Sequence, residues 1–248
     1  MKVTIVTVVF NCAGFIEDCI QSVLSQQYQD IEYLVIDGGS TDGTLTILKK
    51  YSTKLSIHSE SDLSMYDGLN KGIGYAKGDI IGMLNADDML ASPDIISSVV
   101  NCFRRTSCDL LYGNLNFICR ADKSQVTRIW NSGIFNKSKI HQGWMAPHPT
   151  MYIKKEIFLK YGKYSLSFGN CADYELILRL FYKEEIRCYF LNRVMVIMRA
   201  GGMTNNSLIS IWTTLRHDYR AMILHRIPLP LFALILKKMR KIRQLKYV

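Results

Sequence analysis

The chain has 248 residues, is 48% hydrophobic and 21% charged, and has a mean hydropathy of +0.05. These values exclude disordered, collagen-like and low-complexity proteins and predict one large folded domain with an appended segment. The net charge of +10 is uneven, because residues 186–248 carry 12 Lys and Arg against one acidic residue, which predicts an anionic partner for the C-terminal region, either a membrane surface or a nucleic acid.

The first part of the chain alternates β-rich runs with helix-like segments. The β-rich runs start 28, 24 and 24 residues apart, at residues 3–10, 31–36, 55–58 and 79–84. Between the first two, Ile16, Ile20, Val23 and Leu24 follow the spacing of a helix with one buried face. This rhythm is typical of βαβ units, so we predict an α/β fold with a mostly parallel central sheet flanked by helices.

The second part is less regular. Its predicted helices and strands are a helix at 93–105, short strands at 110–112, 115–119 and 127–130, a helix at 173–183 and a strand at 194–198. From residue 208 onward we predict two helices, broken at Pro228 and Pro230. We therefore divide the chain into a domain at 1–205, with halves 1–90 and 91–205, and a helical basic extension at 206–248.

Targeting signals and cysteines restrict the class of protein further. The seven cysteines are odd in number and form no CxxC pair, which argues against a zinc site or a disulfide framework and indicates a reducing compartment. The first ten residues predict a strand rather than a signal peptide. No stretch reaches the roughly 18–20 apolar residues of a spanning helix, so we expect none.

Carboxylates follow two of the predicted strands directly. Asp37 comes after the run 31–36, and Asp87 and Asp88 come shortly after the run 79–84. In an open parallel sheet, ligands bind outside the carboxyl ends of the strands, so these side chains point to one crevice. Adjacent carboxylates in a cleft repel each other and favour a hard cation such as Mg²⁺ or Mn²⁺. The alternative is that the pair lies in a solvated loop and caps the next helix.

The loop that begins at Asp37 is rich in glycine. It reads Asp-Gly-Gly-Ser-Thr-Asp-Gly and matches neither the dinucleotide-binding fingerprint nor a Walker A loop. Its glycines let the backbone approach a ligand, and Asp37 could accept a hydrogen bond from a ribose hydroxyl or a base N–H. The alternative is a tight turn with Asp42 as the cap of a helix.

In order and spacing, three segments resemble the family 2 glycosyltransferases, inverting enzymes with the GT-A fold. They are VTIVTVVFNCAGFIEDCIQSVLSQQYQDIEYLVIDGGSTDGT, ESDLSMYDGLNKGIGYAKGDIIGMLNADD and ADYELILRL. The segment Ser-Met-Tyr-Asp-Gly-Leu-Asn-Lys-Gly is similar to segments of bacterial enzymes that assemble surface polysaccharides, namely the O-antigen of lipopolysaccharide, capsule and exopolysaccharide. The resemblance covers about residues 1–200 and implies that residues 1–90 bind the nucleotide-sugar and residues 91–205 the acceptor.

The resemblance implies a nucleotide-diphosphate sugar donor, most often UDP-linked. Thr7, Val9, Asp37 and Asp62 would surround its base and ribose.

The family's DXD metal motif corresponds here to Asn85-Ala86-Asp87-Asp88, so the first Asp of a strict motif is missing. The resemblance implies that Asp88 binds Mn²⁺ or Mg²⁺ and that Asp87 is a second metal ligand or contacts the ribose.

The family's catalytic base is an acidic residue at the start of a later helix. Asp173 matches this position best, and Glu175 is the second candidate. The alternative for Asp173 is a helix cap. Inverting transfer needs a base that takes the proton of the acceptor hydroxyl and a cation that stabilises the departing diphosphate.

Three further residues have weaker assignments. His148, between two prolines, and Trp144 lie where the family often lines the acceptor or diphosphate site, although a structural histidine and a core tryptophan are the alternatives. Arg199 begins a loop through Thr204 that resembles one closing over the diphosphate, where its charge would complement the phosphates; the alternative is a surface hairpin.

The basic extension combines apolar residues with six Lys and Arg within 237–248. Such a segment can lie in the headgroup region of an anionic membrane and bury Leu231, Phe232, Ile235 and Met239. The alternative is a helix docked on the core. Related enzymes use polyprenyl-diphosphate-linked saccharides as acceptors, so we expect a peripheral protein at the cytoplasmic face of the inner membrane.

Together these features predict an inverting, metal-dependent glycosyltransferase that extends a lipid-linked oligosaccharide in bacterial surface polysaccharide biosynthesis. The alternatives are a non-catalytic GT-A-like protein that binds a nucleotide-sugar or an anionic polymer, and a nucleotidyltransferase. The last would need a Gly-rich basic phosphate loop near the N-terminus, which Asn11-Cys-Ala-Gly14 does not supply. Because no recognition motif with interleaved aromatics occurs, we expect no nucleic acid partner.

Overall fold

The computed structural model describes residues 1–184, 186–201 and 208–244. The strands within these ranges are β1 (Val3–Val9), β2 (Ile31–Asp37), β3 (Ser56–Ser59), β4 (Ile80–Met83), β5 (Met89–Leu90), β6 (Leu110–Ile118), β7 (Val126–Trp130), β8 (Tyr152–Lys154) and β9 (Cys188–Arg199). The α-helices are α1 (Ile16–Leu24), α2 (Thr44–Lys49), α3 (Met65–Tyr75), α4 (Ile95–Thr106), α5 (Lys137–His141), α6 (Lys155–Tyr161), α7 (Ala172–Ile177), α8 (Leu208–Leu224) and α9 (Pro230–Arg243). The predicted boundary at 205/206 and Thr204 lie outside the described residues.

All the described strands belong to one sheet, in the order β3-β2-β1-β4-β8-β6-β9-β5, with β7 paired to β6. The first four strands are parallel, as predicted from the βαβ rhythm. The other half is mixed: β8 runs antiparallel between β4 and β6, whereas β6 and β9 are parallel. The prediction of a mostly parallel sheet therefore holds for the N-terminal half, and the complete sheet is mixed.

The largest difference from the predicted elements lies in β6. The sequence suggests two short strands because Gly113 and Asn114 interrupt the apolar run, but the structure has one strand, Leu110–Ile118. The pairing of β6 with β9 shifts register around Asn114. A Cβ at Gly113 would lie 2.4 Å from the Met195 sulfur, so this glycine permits close packing inside the sheet rather than ending the strand.

The predicted helix at 173–183 is also modified. It consists of α7 followed by a π-helical segment, Leu178–Lys183. The predicted strand at 194–198 extends over the longer β9, whose first residues pair with β6.

Apolar side chains cover both faces of the sheet. On one face, α1 and α4 pack through Ile20 and Val99. On the other, α3 and α7 pack through Leu69 and Leu176. Strand β1 is buried almost throughout because both faces are covered, which explains its continuous apolar sequence.

The C-terminal helices α8 and α9 pack on the second face. Ala221, Met222, Ile227 and Ala233 are buried there. Other apolar residues of these helices and of the turn between them stay exposed: Ile211, Trp212, Ile223, Leu224, Leu229, Leu231, Phe232, Ile235 and Met239. The extension therefore docks on the core with one face and leaves an apolar face uncovered. In the described part of the chain, no helix has the length and apolar character needed to cross a membrane.

Candidate active site

The carboxyl ends of the parallel strands bring the predicted acidic residues to one edge of the sheet. Asp37 is the last residue of β2 and pairs in register with Val9 of β1 and Ser59 of β3. Asp62 follows β3, and Asp87 and Asp88 follow β4. We call this group of strand ends the donor edge.

Asp37 is fully buried, and its carboxylate organises the loop that follows it. It accepts hydrogen bonds from the backbone N–H groups of Gly39 and Ser40 and, at 2.7 Å, from the Ser59 hydroxyl. Gly39 has a φ of +85°, a conformation that favours glycine. The cap residue of α2 is Gly43 and not the predicted Asp42; Asp42, one residue earlier, accepts hydrogen bonds from the N–H and hydroxyl of Thr44 and thereby holds the turn.

Asp62 has one paired and one unpaired carboxylate oxygen. Its Oδ1 lies 2.7 Å from Nζ of Lys71 in α3. Its Oδ2 is buried and has no hydrogen-bond partner among the described residues. A Cβ at Gly68 would lie 2.7 Å from this oxygen, so the glycine lets α3 approach the carboxylate closely. A buried acceptor without a partner is a position where a ligand donor would be favourable.

Thr7 and Val9 lie beside the donor edge, but their side chains belong to the core. Both are buried, and the Thr7 hydroxyl is 3.3 Å from that of Tyr33 and 3.8 Å from the Cys19 sulfur. The Val9 carbonyl accepts from the Gly38 N–H. The side chains of Thr7 and Val9 therefore pack towards α1, on the face of the sheet that this helix covers, and stabilise the ends of the strands.

Asp87 and Asp88 differ in environment. Asp88 is fully buried and accepts from Asn85 Nδ2 at 2.7 Å and from the Arg199 backbone N–H at 3.3 Å. Burial, and then the neighbouring Asp87 charge, raise the pKa of Asp88 to about 8. Asp87 is partly exposed and pairs with Arg120 at 3.0 Å. Hard oxygen donors of this kind suit Mg²⁺ or Mn²⁺.

The structure places Arg199, which the sequence predicted beside the diphosphate, next to Asp87, and it adds Arg120 and Lys123, which the sequence did not single out. Arg120 and Arg199 both lie over the Phe15 ring, at 4.0 and 5.0 Å from its centroid. The buried Arg199 guanidinium donates to the Asp87 carbonyl at 2.6 Å and to Asp18. Lys123 lies 2.6 Å from the same Asp18. Arg120 and Arg199 thus lie beside Asp87, and Arg199 and Lys123 lie beside Asp18. No short motif indicates Arg120 and Lys123, because their contacts join distant parts of the chain.

Asp173 begins the first turn of α7 and is partly exposed, and its Oδ1 accepts from the Tyr174 N–H at 2.8 Å. Asp173 lies among three buried side chains, those of Tyr66, Tyr164 and His148, and its negative charge affects the pKa of each. Burial is the larger cause and the Asp173 charge the second cause that raise the pKa values of Tyr66 and Tyr164 well above normal. Burial lowers the pKa of His148, and Asp173 opposes that shift. A partly exposed carboxylate next to buried polar groups can accept a proton from a bound molecule.

The groups around Asp173 also contact one another. His148 Nε2 is hydrogen-bonded to the Tyr164 hydroxyl, and the Tyr66 ring lies 5.3 Å from the Tyr164 ring and 6.4 Å from the His148 ring. His148 therefore lies beside the predicted base, inside an aromatic cluster. Tyr66 and Tyr164 were not predicted, and only the position of Tyr66 inside the Ser-Met-Tyr-Asp-Gly segment could have pointed to it.

Glu175 and Trp144 lie in the interior. Glu175 is 2.8 Å from Arg179 and 2.9 Å from His225, which directly follows α8. Its pKa is lowered because the hydrogen bonds and charges of these groups outweigh burial. The buried Trp144 donates to the Ser132 carbonyl at 2.8 Å and packs edge-on against Tyr112. Both side chains have the contacts of structural residues.

Helix α3 connects the donor edge to the cluster at Asp173. Within its first turns, Gly68 and Lys71 contact Asp62, and Tyr66 faces Asp173.

A mixed sheet of this order, with carboxylates at the strand ends and one acidic residue across a helix, defines a GT-A glycosyltransferase. The sequence model described as Glycosyl transferase family 2 matches residues 4–168, about two thirds of the chain. The chain belongs to this family and is a glycosyltransferase.

Among the proteins similar to this chain is a PGL/p-HBAD biosynthesis glycosyltransferase of Mycobacterium bovis, 26% identical over 211 residues that cover 83% of this chain and 80% of the relative. The structure of S. aureus TarS 1–349 in complex with UDP-GlcNAc is similar to this chain, with a TM-score of 0.68 and 14% sequence identity. The match covers 90% of this chain and 66% of the TarS chain, which is just under two thirds. The mannosyltransferase PcManGT from Pyrobaculum calidifontis with GDP-Man and Mn²⁺ has a TM-score of 0.65 at 15% identity, covering 96% and 68%. At these identities the structures show the fold.

Proposed function

We propose that this glycosyltransferase is inverting and metal-dependent, and that it moves a sugar from a UDP-linked donor to a lipid-linked oligosaccharide of a bacterial surface polysaccharide. The observation that carries this proposal is the double contact of α3. Gly68 adjoins the unpaired oxygen of Asp62, and Tyr66 faces Asp173 within the same turn of helix. The donor edge and the candidate base are thus close enough to act on one substrate pair.

The donor edge offers specific acceptors to a nucleoside. Asp62 Oδ2 is buried and unpaired, so it suits the imide N–H of a uracil ring. Asp37 accepts from three groups, which leaves about one of the roughly four lone-pair positions of a carboxylate for a ribose or base donor. The UDP-GlcNAc complex of TarS supports this choice of nucleotide.

The chemical step needs one base. The acceptor hydroxyl oxygen attacks the anomeric carbon from the face opposite the nucleotide, and its proton passes to the Asp173 carboxylate. The bond between the anomeric carbon and the phosphate oxygen breaks, and the nucleoside diphosphate leaves with the electron pair. Tyr66 and His148 border Asp173 and hold the base in place. The configuration at the anomeric carbon is inverted because the attack is a single displacement.

The donor set at the end of β4 fits a divalent ion. Mg²⁺ and Mn²⁺ are often bound by only one or two carboxylates together with substrate phosphates, and Asp87 and Asp88 are such a pair. No group of three or more His, Cys, Asp or Glu suited to a metal occurs in the described ranges, so the phosphates would complete the coordination. A bound ion would neutralise charge on the departing diphosphate. Arg120 and Arg199 add fixed positive charge beside the same carboxylates.

The C-terminal helices support the proposed acceptor and location. Leu231, Phe232, Ile235 and Met239 are 46–64% exposed on α9, next to basic residues of the same helix. Such a face can enter the headgroup region of an anionic membrane, and each Lys or Arg near the surface adds about 1 kcal/mol. We propose peripheral binding at the cytoplasmic face of the inner membrane, where polyprenyl-diphosphate-linked saccharides would be within reach.

A donor panel tests the proposal. UDP-, GDP- and dTDP-sugars are incubated with the protein, bacterial membrane extract and Mn²⁺, and release of the nucleoside diphosphate is measured. We expect release from a UDP-sugar that is lost with EDTA, with Asp173→Asn and with Asp88→Asn. Asp122→Asn, an exposed acidic residue in the β6–β7 hairpin, serves as the matched control and should retain activity.

The outcomes separate the alternatives. Binding of a UDP-sugar without turnover in any membrane extract would favour the non-catalytic nucleotide-sugar-binding protein. If turnover continues in the presence of EDTA, the proposed metal dependence is wrong. If Asp173→Asn retains full turnover, the assignment of the base is wrong.

A further inference from the structure

A basic cleft lies apart from the donor edge, between β7, the turn after α5 and the inner face of α9. Its lining includes four cationic side chains, Arg128, Lys237, Arg240 and Lys241, beside the rings of Trp130 and Trp144. None of these residues contacts Asp62, Asp87 or Asp88 in the described structure, so the cleft is a separate feature of the surface.

Positive charge in the cleft exceeds negative charge. Among the described residues, the carboxylate of Asp218 lies close to the cleft, with its Oδ1 2.8 Å from Lys237 Nζ. The Lys241 ammonium has no hydrogen bond or ion pair within residues 1–184, 186–201 and 208–244. Burial and the charges of Lys238, Lys237 and Arg128 lower its pKa, and only Asp218 acts in the opposite sense. An anion in the cleft would relieve this repulsion.

Two of the cations are held in fixed positions. The Arg128 guanidinium donates to Gln244 Oε1 and lies over the Phe117 and Trp130 rings, at 4.4 and 5.2 Å from their centroids. Lys237 is buried and lies 3.2 Å from the centroid of the Tyr174 ring. Preorganised cations lose less conformational entropy on binding than freely rotating surface side chains.

We propose that this cleft binds a phosphate group. An Arg fork and Lys ammonium groups around one space are the donors that phosphate oxygens prefer, and the aromatic walls exclude water from one side. The same helix α9 exposes Phe232 and Ile235 on its other face, so a phosphate in the cleft lies within one helix diameter of the proposed membrane face. The phosphate could belong to a lipid or to a soluble molecule, and this inference does not depend on the assignment of the donor edge.

Inorganic diphosphate is the probe for the first experiment. Trp130 and Trp144 line the cleft, and the third tryptophan, Trp212, is exposed on α8, so the Trp212→Phe protein reports the cleft by fluorescence. We expect a saturable change in which Lys241→Gln and Arg128→Gln each weaken binding about tenfold. Arg128→Lys should restore part of the affinity, and Arg120→Gln at the donor edge should leave the signal unchanged. Thermal melting of each variant verifies folding.

Vesicles identify the source of the phosphate. Binding to phosphatidylcholine vesicles that contain phosphatidic acid, weakened by Lys241→Gln and displaced by diphosphate, would indicate a lipid phosphate. Saturable diphosphate binding, together with vesicle binding that Lys241→Gln does not change, would indicate a soluble ligand. The lipid outcome and the soluble-ligand outcome both support the site. The proposal is overturned if diphosphate gives no saturable signal, or if Lys241→Gln and Arg128→Gln bind it like the parent protein.

Discussion

The acidic residues near the candidate active site share one chemistry and differ in their surroundings. Asp173 is partly exposed, whereas Glu175, two residues later, is enclosed by Arg179 and His225. Asp62 keeps one buried oxygen unpaired, whereas the exposed carboxylate of Glu60 forms an ion pair with the common partner Lys71. Each pair therefore supplies a candidate functional residue and a matched control.

The first prediction contrasts Asp173→Asn with Glu175→Gln. Removing the base should lower turnover by about 10²–10⁴ and leave donor affinity and melting temperature unchanged. Glu175→Gln should lower the free energy of unfolding by about 3 kcal/mol, because it leaves the Arg179 guanidinium without its carboxylate partner. Activity assays and urea unfolding measure the two effects, and the assignments are reversed if Glu175→Gln is stable and inactive.

The second prediction concerns donor binding. Asp62→Ala removes the unpaired acceptor and should raise the Kd for UDP about tenfold, the cost of one hydrogen bond to a charged group. Glu60→Ala also removes a partner of Lys71, at 3.2 Å, but no buried acceptor, and should change the Kd less than twofold. Calorimetric titration distinguishes them. Equal effects of the two substitutions would mean that Lys71, and not Asp62 Oδ2, matters.

At the scale of elements, close packing of α3 on the sheet sets the distance between the donor edge and Asp173. A Cβ at Gly72 would lie 2.3 Å from Val6 Cγ1 in β1, whereas a Cβ at Gly74 would meet only the end of the Lys163 side chain at 3.1 Å. Gly72 thus permits the contact, and Gly74 is free to change. Gly68 and Gly72 both face β1, whereas Gly74 does not, so the glycines of one helix have different functions.

The third prediction follows from this contrast. Gly72→Ala should lower the free energy of unfolding by about 1–3 kcal/mol through overpacking. Gly74→Ala should be neutral or raise it by up to about 1 kcal/mol, since alanine is the better helix former. Denaturant unfolding of both proteins is the measurement, and an equally stable Gly72→Ala would show that α3 can shift without cost.

The fourth prediction is a pH dependence at the start of β6 and β9. Hydrogen bonds from Arg187, and then from Lys154, lower the pKa of Asp109 to about 2. A lowered carboxyl pKa stabilises the fold above the unfolded value near 4, and this contribution is lost as the pH falls towards 2. Wild type should therefore exceed Asp109→Asn in stability at pH 6, and the difference should shrink towards pH 2. A difference that does not change with pH would contradict the role of this carboxylate.

At the scale of the molecule, the C-terminal helices have two faces with different surroundings. Ala221, Met222 and Ala233 are buried against the core, while Phe232 and Ile235 are 56% and 59% exposed. An uncovered apolar face on a basic helix pair is a candidate interaction surface, and we propose an anionic membrane as its partner.

The fifth prediction concerns this face. The double substitution Phe232→Ser and Ile235→Ser should reduce co-sedimentation with phosphatidylglycerol vesicles by about tenfold or more, because two large apolar side chains no longer enter the lipid. Leu159→Ser, which alters an apolar residue of α6 that is 75% exposed, is the control and should bind like wild type. Membrane binding by α8 and α9 is refuted if the double variant sediments normally.

The sequence by itself determined the βαβ rhythm and the acidic strand ends, because sheet periodicity and short loops act over fewer than about 30 residues. It also determined the basic, amphipathic C-terminal region. Only the tertiary structure decided which side chains surround each acidic residue. Tyr66, His148 and Tyr164 meet Asp173, and His225 meets Glu175, through sheet and helix packing that joins distant segments. Contacts of this range depend on topology, and no local pattern encodes them.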